Sequence, residues 1–194
     1  MHELVRFGSY EWLVLERYGD GSALIVTKNI IERRAYHSRR ADITWKKCAL
    51  RMYLNGEFYN KFSAQDKMRI LESRIKNSDN PWFGTNGGED TIDKIFLLSI
   101  EETLKYLGNS REPLSQAKRH SAQSWRVNRD SYYISNQDNS KRKAYDGSGA
   151  EYWWWLRTPG DNSKGATLIS IPGAVSGGSV DGAGGVRPAL CISL

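Results

Sequence analysis

Residues 152–160 read Tyr152-Trp153-Trp154-Trp155-Leu156-Arg157-Thr158-Pro159-Gly160, and the chain closes with Gly185-Val186-Arg187-Pro188-Ala189-Leu190-Cys191-Ile192-Ser193-Leu194. Three adjacent indoles are too large to sit together in water, so the first block predicts a strand that is at least half core. Strand alternation puts Trp153 and Trp155 on one face and Trp154 on the other. Arg157 and Arg187 each lie in apolar surroundings near a proline. A buried guanidinium needs carbonyl or carboxylate partners, so both are expected to be structural and to tie the tryptophan block to the closing strand. Between the two blocks the chain is glycine- and serine-rich and poor in core-forming bulk. A rigid anchor and a rigid closing strand thus bracket a soft surface, the organisation of a display scaffold.

The rest of the chain suits that role. Its 194 residues can bury a real core, and one domain over 1–194 is the default. A hydrophobic fraction of 39% and a mean hydropathy of −0.60 fit a soluble globular protein. No apolar run approaches the roughly 20 residues of a membrane span. The N-terminus lacks a basic-then-apolar signal pattern, so a cytoplasmic or virion location, or export by another route, is expected. The formal charge of +6 is dispersed in short runs such as Arg33-Arg34, Arg39-Arg40 and Lys141-Arg142-Lys143. No zinc-finger spacing or RNA-recognition signature accompanies them, which favours a generally basic surface over a specific nucleic-acid site.

Along the chain, Val5 to Glu16 predicts two short strands around Gly8-Ser9, and Ala23 to Thr27 a buried third one after the Tyr18–Gly21 turn. Ile30 to Ile43 is polar and basic and reads as a loop. A helix is expected from Asp42 or Thr44, with Trp45, Cys48, Ala49 and Met52 as its buried stripe and Asn55-Gly56 as its end. Ser63, with Asp66 three residues on, predicts a second helix with Met68, Ile70, Leu71 and Ile75 on its apolar side. Residues 77–90 form a loop pinned by Pro81-Trp82-Phe83. Lys94 to Leu98 reads as a buried strand, and Ser99 with Glu102 as a capping box opening a helix that ends at Gly108. A short helix is expected from Leu114 to about Gln123, and a long loop from Ser124 to Ala150. Strands follow near 152–157, 166–171, 174–176 and 186–192. Strands enclosing a few helices give an α+β fold.

The ordered blocks FGSYEWLVLE (7–16), TWKKCALRMYLNGEFYNKFS (44–63), DTIDKIFLLSIEE (90–102), WWLRTPG (154–160) and GVRPALCISL (185–194) resemble a bacterial and phage domain family of unknown function. Its members end in a Trp-Leu-Arg-Ser/Thr-Pro block and a Gly-Val-Arg-Pro-Ala strand. The family is similar to the C-type-lectin-like fold, in the branch that also holds formylglycine-generating enzymes. The resemblance implies mixed or antiparallel sheets with two to four helices. Some members are variable proteins of diversity-generating retroelements, in which adenine-specified codons near the 3′ end of the gene are rewritten. The composition of 161–185 is compatible with such a segment and equally with a fixed glycine-rich β-meander, and both readings stay open.

The candidate chemistry is sparse. The lectin calcium motifs Glu-Pro-Asn, Gln-Pro-Asp and Trp-Asn-Asp are missing, and Asp138, Asp146, Asp161 and Asp181 are scattered, so no metal or cofactor site is expected. With only His2, His37 and His120, and no nucleophile elbow, catalysis is not expected either. Cys48 and Cys191 lack a CxxC partner and read as packed thiols, with one long-range disulfide left open. The expected function is ligand binding by a display surface at about 145–185. Its contacts would be the adaptable polar residues Asp161, Asn162, Ser163, Lys164, Thr167, Ser176, Ser179 and Asp181, with Tyr132, Tyr145 and Tyr152 as rigid aromatic area. A protein or glycan on another cell or phage is the expected partner. A fixed structural module of a phage or surface assembly, and an oxidase-like enzyme or its remnant, are the alternatives.

Overall fold

The computed structural model describes residues 2–108 and 133–194. Among them the chain is a mixed α+β structure with mostly antiparallel sheets and short helices. The first sheet has the order β1-β2-β3-β12-β5, built from Glu3–Phe7, Tyr10–Arg17, Ser22–Thr27, Ala189–Ser193 and Ile70–Leu71. Both ends of the described chain therefore share one sheet. Strand β3 runs between β2 and β12 with every residue buried, as its unbroken apolar run demands. The Trp12 indole donates to the Phe7 carbonyl at 2.9 Å and locks the first hairpin.

The second sheet has the order β10-β9-β8-β11-β4, from Val175–Ser179, Gly165–Ile169, Trp154–Pro159, Ala183–Val186 and Glu32–Ala35. Its edge strand β4 corrects the loop expected over Ile30–Ile43. Strand β4 has no alternating apolar pattern because its ladder partner, β11, is a glycine strand some 150 residues later, pairing Arg33 with Gly185 and Arg34 with Gly184. The glycine-rich segment is likewise not soft throughout. It supplies β9, β10 and β11, and Ala166, Ile169, Val175 and Val180 are core residues. The expected strand over 186–192 is two strands, broken at Arg187-Pro188 where the chain passes from the second sheet to the first.

The helices are shorter than their spacing predicts. A 3₁₀ turn at Trp45–Lys47 precedes α1, Ala49–Tyr53, whose N-cap is the Cys48 thiol accepting from Arg51 N–H. Met52 is 59% exposed rather than part of the stripe; Leu50, Tyr53 and Leu54 take the core side. Asn55-Gly56 does not end the helix. A π-helical turn, Leu54–Phe58, carries it on, because the Asn55 side chain is engaged elsewhere. Its Oδ1 accepts from the N–H groups of Lys94 and Ile95, and its Nδ2 donates to the carbonyls of Arg51 and Ile95. Helix α2, Ala64–Arg69, starts at the Ser63 cap as predicted but stops before Ile70, which enters β5, and Met68 is 79% exposed. Ile75 belongs to the two-stranded pair β6, Ser73–Ile75, with β7, Thr91–Asp93.

Ile95, Phe96, Leu97 and Leu98 are buried as expected, yet they make no ladder beyond the single bridge from Phe96 to Ala189. Helix α3, Ile100–Tyr106, opens on the predicted reciprocal Ser99–Glu102 cap. The expected helix over 114–123 and His120 lie outside the described residues. So does part of the 124–150 loop, whose described part holds a one-turn helix at Asn139–Arg142 with Arg142 fully buried. No helix among the described residues is long and apolar enough to cross a membrane.

Candidate functional site

The tryptophan block builds the frame. Trp154 and Trp155 are both fully buried on opposite faces of β8. Trp154 Nε1 donates to the Arg142 carbonyl and Trp155 Nε1 to the Arg34 carbonyl, each at 3.0 Å. Trp153 meets the edge of Trp155 at 4.8 Å between ring centres, as strand alternation requires, and remains half-buried. Gly184 makes this packing possible. A Cβ there would meet the Trp153 ring at 2.3 Å and Trp155 Nε1 at 2.4 Å.

The two arginines divide their tasks. Arg187 ties the block to the closing strand as expected, stacking on Trp154 at 4.9 Å and donating from Nε to the Thr27 carbonyl at 2.7 Å. Full burial pushes its guanidinium down to about 10. Arg157 does not join that tie. It turns to the other side, pairs with Glu102 of the α3 cap, and donates to the Leu97 carbonyl at 2.8 Å.

On this frame the exposed polar residues form a continuous band. At one end Tyr152 lies stacked on Trp153, 5.8 Å between centres and 24° between planes, and the Arg33 guanidinium sits over its ring at 3.8 Å. Arg33 is held by Asp146 at 2.5 Å. Ser148, chiefly, and then Arg33 hold the Asp146 carboxyl down to about 2. Residues Ile30 to Arg33 and Asp146 to Ser148 line a cleft of about 210 Å³, and the partly exposed Tyr145 lies beside it. The Tyr152 hydroxyl donates to the Ala183 carbonyl at 3.2 Å, which joins this end to the start of β11 just past the 179–182 turn.

The other end is two turns knitted by backbone bonds. Val180 N–H donates to the Lys164 carbonyl at 3.1 Å, and Ser179 pairs with Gly165. Asn162, Ser163, Lys164, Ser179 and Asp181 are exposed there, with Asp161 half-buried. Loop 37–43 joins them, because His37 N–H donates to the Val180 carbonyl at 2.8 Å and Ile43 N–H to the Ser163 carbonyl at 3.0 Å. The Ser163 hydroxyl also donates to Asp42.

The structure thus brings together Tyr145, Tyr152, Asp161, Asn162, Ser163, Lys164, Ser179 and Asp181. It leaves out Thr167, which is fully buried and donates from its hydroxyl to the Thr158 carbonyl at 2.9 Å, so it cannot contact a ligand. Its β9 position alternates inward, a signal the small polar side chain hides. Ser176 is half-buried opposite Leu168, about 10 Å along β10 from Ser179. Tyr132 lies outside the described residues. Four members of the band, Arg33, Arg39, Arg40 and Asp42, are not among the predicted contacts. Only the pairing of residues 32–43 with 163–186 reveals them.

Catalytic features can be placed as well. Cys48 is buried, and desolvation pushes its thiol up to about 12; burial also raises Cys191. Both cysteines are free thiols in the structure. No group of three or more His, Cys, Asp or Glu residues arranged to hold a metal occurs among the described residues.

No curated protein and no solved structure matches the chain. Residues 20–194 match the family described as domain of unknown function DUF6273, which spans all of the frame and the band, and the chain belongs to that family.

Proposed function

We propose that the chain is a ligand-binding display protein on a single C-type-lectin-like scaffold, with the band from Tyr145 to Asp181 and Asp42 as its contact surface. The observation that carries this is the division of labour between backbone and side chains. The turns 161–164 and 179–182 are held to each other and to loop 37–43 by main-chain bonds, so their exposed side chains can vary with little loosening of the frame. The shared sheet of β1, β2, β3 and β12 supports the scaffold assignment, since it closes both ends of the chain and leaves the second sheet to present the surface. The same division suits a protein whose exposed codons are rewritten by a diversity-generating retroelement.

The test is a set of alanine substitutions at Tyr145, Asn162, Ser163, Lys164 and Asp181, assayed against ligands selected from surface proteins and glycans. Loss of binding with unchanged melting temperature is the expected outcome. Binding to every selected ligand that survives all five substitutions would overturn the proposal.

A further inference from the structure

Three arginines are buried among the described residues, and their charges are met differently. Arg157 pairs with Glu102. Arg142 donates to the Gly173 carbonyl and to the side-chain oxygens of Asn136 and Asn139, and the Asp138 carboxylate acts on its charge. Arg187 has neither arrangement. Its Nε donates to the Thr27 carbonyl at 2.7 Å, and its guanidinium lies 4.9 Å from the centre of the Trp154 ring. Desolvation alone lowers its guanidinium, with no carboxylate acting on it. The two buried carboxylates among the described residues are spent elsewhere, Asp93 on Arg51 and Asp138 on Lys141.

Polar atoms are left over at the same place. Arg187 Nη1 and Thr27 Oγ1 are both buried with no hydrogen-bond partner among the described residues, and Thr27 is the residue whose carbonyl already holds Arg187. Arg187 is 2% exposed and Thr27 1%. A cation this deep is costly unless an opposite charge faces it, because a carbonyl and a ring face offer only partial negative charge. Orphaned buried donors in a folded protein point to an ordered water or an ion. The unmet charge separates the two, since a water would satisfy the donors and leave the cation unbalanced. The donor set fixes the size of the ion. One guanidinium nitrogen and one hydroxyl suit a small monovalent acceptor with no directional preference. A phosphate or sulfate brings several oxygens and more charge than one arginine offsets.

We infer that Arg187 and Thr27 bind a buried monovalent anion of the halide class where the chain crosses from the second sheet to the first. The site belongs to the frame, so it stands or falls independently of the display function. An ion held by the folded chain and not by the unfolded one adds to stability as it fills its site.

The experiment measures thermal unfolding of the full chain as chloride or bromide replaces gluconate at a constant ionic strength of about 0.2 M, which holds general screening fixed. Chloride should raise the wild-type melting temperature by about 2–4 °C. Bromide should do the same, and a crystal grown in bromide should show its anomalous signal beside Arg187 Nη1. Thr27→Val removes one donor at nearly constant shape and should shrink the chloride response. Arg187→Met should abolish it. Arg6→Ser, which removes an exposed arginine far along the chain, should keep it whole. Equal melting temperatures in chloride and gluconate would overturn the inference, as would a response that Thr27→Val and Arg187→Met both retain. An ordered water at the site, with no bromide signal, would overturn it as well. If Arg187→Met does not fold, Thr27→Val and the bromide crystal decide the matter.

Discussion

In the first sheet, β3 contributes Ala23, Leu24, Ile25 and Val26, all buried, and its neighbours on β2 and β12 include Leu13, Val14, Leu190 and Ile192. In the second, the residues around Trp153, Trp154 and Trp155 include Gly178, Gly184 and Gly185. The first sheet fills its share of the core with many medium side chains drawn from every strand. The second relies most on the indoles of β8, packed against glycine backbone, with Ala166, Ile169, Val175 and Val186 from its other strands. This difference separates two uses of a sheet. Where each strand packs through its own side chains, a change at any inward position is felt. Where neighbouring strands pack much backbone against indole, their connecting turns carry little of the core beyond Val180, and the exposed Asn162, Ser163, Lys164, Ser179 and Asp181 should tolerate change.

The comparison breaks most visibly at the indoles. Trp12→Ala in the first sheet and Trp155→Ala in the second should each lower stability by about 3–5 kcal/mol, read by chemical denaturation. An equal effect from such differently packed sheets would confirm that both are core. A loss under about 1 kcal/mol at Trp155 would show that the second sheet is held by something else. Next in size is Gly184→Ala. One methyl forced against Trp153 and Trp155 should cost about 1–3 kcal/mol, while the same change at Gly147, where a Cβ meets nothing within 4 Å, should be silent.

The smallest effect sharpens the turn end of the comparison. Asp146 has a depressed carboxyl, so its contribution is complete above its ordinary value near 3.8 and is lost as pH falls toward about 2. The Arg33 contact should therefore persist to about pH 3, followed by carboxyl chemical shifts. Because the Ser148 hydroxyl contributes more than Arg33, Ser148→Ala should raise the Asp146 value further than Arg33→Ala does. The reverse order would make the arginine the main anchor of this turn.

What could be read along the chain is what depends on near neighbours. The first hairpins, the Ser63 and Ser99 caps and the alternation of Trp153 to Trp155 are set within a few residues, and the sequence carries them directly. Strand β4 was hidden because its partner is distant and made of glycine, which has no side chain to advertise a pairing face. The π-helical turn was hidden because Asn55 is claimed by Lys94 and Ile95, some 40 residues on. The candidate site was half legible. Its exposed turns follow from composition, but Thr167 shows that small polar residues also fill glycine-strand interiors, and loop 37–43 joins the band only through bonds to Val180 and Ser163.

The most direct test of the frame-and-band division is to randomise Asn162, Ser163, Lys164, Ser179 and Asp181 together and score folded members by protease resistance. A second library at Trp154, Thr167, Gly184 and Arg187 serves for comparison. The account predicts that most members of the first library resist proteolysis like the parent and that few of the second do. A first library as depleted as the second would contradict it, because the band would then be part of the core it is said only to decorate.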